Sequence, residues 1–200
     1  MPDKIPVVHV DSKERILLSA ARLFRDHGYS ATTLRMIASL SEIKAGSIYY
    51  HFDSKESILI DVLNRGIEHV ENEVRIRINA LSSNSTFQDK VKTAIEGHLA
   101  GMLSNGDYTS ANIKIYSQIP SKAKERHKIV RRAYADYWDS LFEEAFENGE
   151  LREALNKDVF RLFVLGSLNW TTEWYDPKRG SFKELVDQVT SILFFGIFKK

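Results

Sequence analysis

The sequence predicts an all-α protein, and three observations carry that prediction. Its four prolines stand at positions 2, 6, 120 and 177, leaving long proline-free stretches. In those stretches apolar residues recur every three or four positions, the spacing of one helix face. No segment sustains the period-two alternation of a half-buried strand. About nine helices follow from this pattern.

The first helix runs from about Ser12 to His27, on a stripe of Ile16, Ala20, Leu23, Phe24 and His27. Asp11 with Glu14 has the form of a capping box, and Gly28 that of a C-terminal cap. A short helix starts at Leu34 behind Thr33 as N-cap, and another near Ala45. A long helix then spans Lys55 to about Leu81 on Ile58, Val62, Gly66, Val70, Val74 and Ile78. The polar link "SSNSTF", 82–87, is the clearest break in the chain. Phe87 to Leu103 is helical, and Gly106 is expected to close it. A short helix near Ala111–Gln118 stops at Pro120. Lys122 to Glu147 is long and ends at Asn148-Gly149. Lys157 to Tyr175 and Phe182 to Lys199 complete the set, the last behind a capping box of Ser181 and Glu184. No internal repeat or low-complexity tract occurs.

Composition sets the bounds. Two hundred residues with 43% hydrophobic content are enough for a real core. Lys+Arg 28 against Asp+Glu 27 gives a net charge of +1, so any nucleic-acid surface is local. With no cysteine there is no disulfide framework, thiol sensor or Cys-type zinc site. No run approaches the roughly 18 apolar residues of a membrane span, and the N-terminus lacks signal-peptide order. The expectation is a cytoplasmic protein without membrane contact.

The stretch "KAGSIYYHFDSKE", 44–56, is too aromatic for an ordinary loop and too polar for a core strand. From Thr33 to Phe52 the pattern is helix, tight turn, helix. Leu34, Ile37, Ala38, Ile48 and Phe52 are just enough to dock both short helices on the first. Lys44, Ser47, Tyr49, Tyr50 and His51 are left pointing outward. A two-helix unit whose second helix faces outward fits the major groove of double-stranded DNA. Gly46 lets backbone approach the duplex. Tyrosine hydroxyls, an imidazole N–H and the Lys55 ammonium are donors for phosphate oxygens, which set register without reading sequence. The competing reading has Tyr49 and His51 merely packing between helices.

Residues 15–63, "RILLSAARLFRDHGYSATTLRMIASLSEIKAGSIYYHFDSKESILIDVL", resemble the DNA-binding domain of the TetR family of transcriptional regulators. The marks are Phe24 to Gly28, Thr33, Ile37-Ala38, Gly46, Tyr49, His51-Phe52 and Lys55-Glu56. Two positions depart from the family pattern. Glu42 replaces the turn glycine, and Lys44 replaces a small capping residue. The resemblance implies that Thr33, Tyr49, His51 and Lys55 bind phosphates, while Arg35, Lys44, Ala45 and Ser47 lie at base edges. Residues 1–60 hold eight Lys/Arg and seven Asp/Glu, so a basic footprint needs arrangement and a second copy. The resemblance implies a helix-turn-helix DNA-binding domain at 1–56 and a ligand-binding and dimerisation domain at 57–200.

In the second region Phe182, Leu185, Val186, Val189, Ile192, Leu193 and Phe195 leave few polar positions. Val159, Phe160, Phe163, Val164 and Leu168 do the same for the helix before. Arcs this wide call for cover from a second subunit or from the rest of the fold. Phe163, Leu185, Val189 and Ile192 are the expected homodimer contacts. "NWTTEWYDPKRG", 169–180, sets Trp170 and Trp174 one turn apart. This ending resembles TetR regulators of fatty-acid, steroid or aromatic-acid catabolism that respond to acyl-CoA thioesters. An aromatic wall suits such a ligand. It equally suits plain core or interface filling. "SKAKERHKIVRR", 121–132, carries six Lys/Arg and one Glu. It reads as a solvated helix start, or as a landing site for CoA phosphates that includes Arg131. Tyr134, Tyr137, Trp138 and Phe142, with Tyr116 before them, are candidates for the pocket lining.

Histidines 9, 27, 51, 69, 98 and 127 show no ligand spacing, so no metal is expected. There is no nucleophile with base and orienter and no phosphate-binding glycine loop. The sequence therefore reads as a ligand-responsive repressor without a cofactor, not as an enzyme. A helical ligand-binding or adaptor module without DNA function is the alternative.

Overall fold

The computed structural model describes residues 11–104, 106–151 and 154–196. Eight α-helices carry the fold: α1 (Ser12–Ala31), α2 (Leu34–Leu40), α3 (Lys55–Asn79), α4 (Phe87–Ser104), α5 (Gly106–Lys114), α6 (Ser121–Glu147), α7 (Lys157–Trp174) and α8 (Phe182–Phe195). Two 3₁₀ helices, Ala45–Tyr50 and Tyr116–Gln118, complete the order. There is no strand among the described residues. The protein is all-α.

All nine expected helices are present among the described residues, with three local differences. The unit at Ala45 is a six-residue 3₁₀ helix, a winding used in short pieces. Gly106 opens α5 instead of closing α4, with Asp107 in the first turn, where the helix dipole favours an acid. Asp11 caps α1 by accepting from the Lys13 N–H at 3.3 Å. Glu14 does not close that box: its carboxylate takes the Arg65 guanidinium and the Tyr108 hydroxyl. The end expected at Lys199 lies outside the described residues.

Two apolar clusters divide the molecule. The first joins Ile16, Leu17, Phe24, Ile37, Ile48 and Leu59 with Tyr108, Ala111 and Ile115. The second joins Val70, Val74, Ile95, Leu99, Trp138, Val164 and Val186. Helix α3 feeds both, so its first turns belong to the N-terminal unit and its remainder to the C-terminal bundle. There α3 lies close against α4, because a Cβ at Gly97 would come within 2.7 Å of the Val74 Cα. The α1 helix breaks at Gly28, whose φ of 80° is open to glycine at no steric cost. Behind the break the Tyr29 N–H donates to Gln118 Oε1 at 3.0 Å.

Candidate nucleic-acid interface and effector cavity

The outward face of the N-terminal unit is built as its residue pattern implies. Ile48 is the buried anchor of the 3₁₀ helix, and Phe52 follows it into the core. Every other side chain of that helix is pushed outward: Ala45, Gly46, Ser47, Tyr49 and Tyr50 are exposed. Tyr49 is 62% and Tyr50 87% exposed, values no packing role explains. The His51 ring is half-buried and meets Tyr50 edge-on at 5.0 Å. Arg35 and Lys44 are exposed and form no ion pair among the described residues. Thr33 caps α2 by accepting from the Met36 N–H at 3.2 Å, which leaves its hydroxyl proton for another acceptor.

Lys55 is placed differently from its expected phosphate role. Its ammonium turns inward and donates to the Tyr29 and Thr32 carbonyls, each at 2.8 Å. It also lies over the Tyr29 ring at 4.2 Å. Burial pushes its pKa down. The turn before the 3₁₀ helix places Glu42 at φ 55°, the left-handed conformation that a glycine would adopt freely.

Behind this unit a cavity of about 670 Å³ opens between α3, α4, α5, α6 and α7. Ile67, Val70, Met102, Ile113 and Leu165 supply apolar wall, and Gly66 on α3 lets α5 pack close, since a Cβ there would clash with Asn112 Nδ2 and come within 3.0 Å of the Tyr108 carbonyl oxygen. The rim carries Lys124, Lys128, Arg131 and Arg132 from the start of α6. Tyr116 sits among them, with Lys124 and Arg131 each 4.5 Å from its ring. Arg132 is paired with Asp136 at 2.7 Å, whereas Lys124 and Arg131 have no carboxylate partner among the described residues. These two cations are free to receive an anion.

The interior wall is polar at specific points. His98 on α4 stacks on Tyr134 at 6.0 Å, with its Nδ1 2.8 Å from the hydroxyl. Its Nε2 lies 3.1 Å from Asn169 Oδ1. Burial drives the His98 pKa down to about 4, against the Asn169 hydrogen bond. His127 is likewise lowered to about 4, by burial and then by Arg131. Its Nδ1 meets Asn64 Oδ1 at 2.9 Å, and its buried Nε2 has no partner. Arg161 is buried against Asp139 and Asp158.

Of the expected lining residues, the structure brings Tyr116, Arg131 and Tyr134 together at the cavity. Trp138 and Phe142 do not reach it. They lie one and two turns past Tyr134, where Phe87 and Phe160 pack on Phe142 at 5.9 and 4.9 Å. Trp138 backs the wall, 6.0 Å from His98. Trp170 and Trp174 lie on the opposite side of α7 from the buried Val164, Leu168 and Thr171, and Trp170 is 59% exposed. Phe163 (68% exposed) and Val159 are exposed apolar residues of the same helix, as Ile192 and Phe195 are on α8, while exposed Leu162 also lines the cavity. Leu185 is buried within the chain's own core and Val189 is partly so.

His98, His127, Arg161 and Asn169 are cavity residues that residue type alone did not single out. His98 had a signal: it falls four residues after Ala94 and three after Ile95, on the buried stripe of α4. Among the described residues no group of three His, Asp or Glu is placed to hold a metal ion. No described helix is long and apolar enough to cross a membrane.

Comparison with known proteins places this architecture. Residues 16–62 match the model for bacterial regulatory proteins of the tetR family. Residues 84–197 match that for the tetracyclin repressor-like C-terminal domain. The fatty acid metabolism regulator protein of Bacillus subtilis is 25% identical over 194 residues, covering 93% of this chain and 95% of that one. The fold is shared with FadR from Bacillus subtilis, crystallised with stearoyl-CoA (TM-score 0.76, 19% identity, 92% and 98% covered). It is shared too with AibR, crystallised with isovaleryl coenzyme A and operator DNA (TM-score 0.78, 21% identity, 94% and 100% covered). The second model alone spans more than half of the residues, and the first covers the outward-facing 3₁₀ helix and its supports, so the chain belongs to the TetR family of bacterial regulatory proteins.

Proposed function

We propose that the protein is a homodimeric transcriptional repressor that holds a palindromic operator when empty and releases it when an acyl-CoA thioester enters the cavity. The observation that carries the first half is the exposed face of Arg35, Lys44, Ser47, Tyr49 and Tyr50, held on a turn of only two buried anchors. Thr33, Tyr49 and His51 donate to phosphates. Arg35, Lys44, Ala45 and Ser47 face base edges, with Gly46 allowing close approach. Two such faces in a dimer read half-sites one helical turn apart.

The effector class is supported by the cavity's division into two chemistries. Lys124 and Arg131 at the rim lack carboxylate partners and suit phosphates, while Ile67, Val70, Met102 and Leu165 suit an acyl group. The acyl-CoA complexes of two proteins with this fold, and the fatty-acid regulator among its relatives, favour the same class. Release is a population shift: the thioester prefers a spacing of the two faces that does not match successive major grooves.

The test is a mobility-shift titration of the operator complex with acyl-CoAs beside their free acids. Thioesters are expected to release DNA where the acids do not. Equal release by acids or by unrelated hydrophobic drugs rejects the CoA reading. In the same assay Tyr49→Phe is expected to weaken binding at all sequences, and Lys44→Ala also to change operator preference.

A further inference from the structure

The cavity wall holds a feature that a plain hydrocarbon ligand would leave unsatisfied. His98 Nε2 lies 3.1 Å from Asn169 Oδ1, and Nδ1 lies 2.8 Å from the Tyr134 hydroxyl. The buried Tyr134 hydroxyl has no other acceptor among the described residues, so it donates to Nδ1, the ring proton sits on Nε2, and Asn169 Oδ1 accepts it. Both ring nitrogens are thereby used, and the chain Tyr134–His98–Asn169 fixes which way the Asn169 amide points. Its Oδ1 is committed to His98. Its Nδ2, carrying two donors, has no hydrogen-bond partner among the described residues, and Asn169 lines the cavity. An empty cavity leaves that amide to solvent. An alkyl chain would displace the water without replacing its hydrogen bond, whereas an oxygen on the ligand would replace it.

We propose that the cavity selects an acyl group bearing a hydroxyl or carbonyl oxygen, which accepts from Asn169 Nδ2, over an unsubstituted chain of equal length. This rests on the acyl-CoA reading for the identity of the carrier, but not for the selection itself. Asn169 is the specificity-determining residue. His98 and Tyr134 are positioning residues that act through it. Sites built to hydrogen-bond a ligand group discriminate strongly against the analogue that lacks it, since their own polar atoms are then left unpaired.

The experiment is calorimetric titration with dodecanoyl-CoA, 3-oxododecanoyl-CoA and dodecanoyl-CoAs hydroxylated at the third, a middle and the terminal carbon. At least one oxygenated thioester is expected to bind tighter than the parent by about tenfold or more. In Asn169→Leu that ratio falls to near one, and the parent binds at least as tightly as before. Asn169→Asp, which offers no donor when ionised, loses the preference for the oxo compound. Should Asn169→Leu not fold by circular dichroism, Tyr134→Phe replaces it. Freed from the relay, the amide reorients and the ratio drops.

Equal binding of all thioesters by the natural protein overturns the proposal, as does an unchanged ratio in a folded variant. If no thioester binds, the acyl-CoA reading fails separately. The ratio is then read with dodecanoic and 12-hydroxydodecanoic acids, where the same two outcomes decide.

Discussion

The Lys55 ammonium is held 4.2 Å over the Tyr29 ring while donating to the carbonyls of Tyr29 and Thr32. It therefore ties the start of α3 to the end of α1, across the base of the helix-turn-helix. Two charge-assisted hydrogen bonds to otherwise open carbonyls and a cation–π contact together outweigh an exposed lysine's usual contribution. Lys55→Ala is expected to cost about 2 kcal/mol of stability. Operator affinity falls with it, while the salt slope changes by less than the unit expected for a lost phosphate contact. Urea unfolding and salt-dependent binding measured on one preparation separate the two roles. A full-unit drop in slope with unchanged stability would restore Lys55 to the phosphate set.

Glu42 occupies a left-handed turn at φ 55° with a side chain that disfavours it. The penalty is about 1–2 kcal/mol, partly offset by the greater freedom glycine would have in the unfolded chain. Glu42→Gly is expected to stabilise the protein by about 0.5–1 kcal/mol in urea unfolding. Glu42→Gln is the control, since it removes the charge and keeps the strain. Equal gains from both substitutions would assign the effect to charge.

The helix-turn-helix was legible because a short unit repeats its marks at fixed spacing: Thr33, Gly46, Tyr49 and His51-Phe52 all fall where a docked reader needs them. The all-α fold was legible because apolar periodicity is a local property. The cavity was less so. Tyr134, Trp138 and Phe142 share one face of α6 and look alike in sequence. Only the first lines the cavity, because Phe87 and Phe160 arrive from α4 and α7 to fill the space beside the others. Trp170 and Asn169 are neighbours in sequence yet face opposite chemistry, since one residue is a 100° turn on a helix. Lys55 looked like its exposed lysine neighbours until the α1 carbonyls closed over it.

Two buried histidines make stability depend on pH. His98 and His127 both have pKa values lowered to about 4, so each stays neutral in the folded protein at pH where the unfolded chain protonates it. The unfolded state then binds more protons, and stability rises with pH between about 4 and 6.5. It is fully present above 6.5 and lost on acidification, by up to about 1.4 kcal/mol per pH unit for the fully buried His98 and less for His127. His98→Gln is expected to flatten this dependence in unfolding curves at pH 7.0, 6.0 and 5.0. A natural protein equally stable across that range would show that neither imidazole is held neutral.

Asp107 receives both Arg22, at 2.8 Å, and Arg25 from α1, while the same short α5 lends Thr109, Asn112 and Ile113 to the cavity. We propose that a ligand acting on α5 is sensed through these pairs by α1, the helix on which the reading unit docks. Asp107→Asn keeps the shape and removes the charge pairing. For these partly exposed pairs the stability cost is about 1 kcal/mol or less. The larger consequence is expected in coupling: the ratio of operator affinities with and without effector shrinks severalfold, within the 1–3 kcal/mol typical of such linkages. Fluorescence-anisotropy titrations of operator DNA with and without saturating effector measure it. An unchanged ratio would mean that α3 alone transmits the signal.

Phe163, Trp170 and Trp174 on α7, with Ile192 and Phe195 on α8, expose an amount of large apolar surface that calls for cover. We propose that a second copy of the chain covers it in the dimer. Leu185, on the inner side of α8, belongs to the monomer's core and serves the dimer only by holding that helix in place. The two kinds of residue should therefore fail differently. Phe163→Glu with Ile192→Glu is expected to give a folded monomer, because each carboxylate is desolvated only when subunits meet. Leu185→Glu buries a charge in the single chain and is expected to unfold it, at a cost of several kcal/mol. Trp170→Ala should raise the dimer dissociation constant by tenfold or more, as loss of a large buried aromatic does at interface centres. Its affinity for effector should stay within about twofold, since Trp170 lies outside the cavity wall. Sedimentation velocity across a concentration series, read beside circular dichroism, distinguishes these outcomes. A Trp170→Ala protein that remains dimeric but no longer binds effector would return that tryptophan to the ligand and move the subunit contact elsewhere.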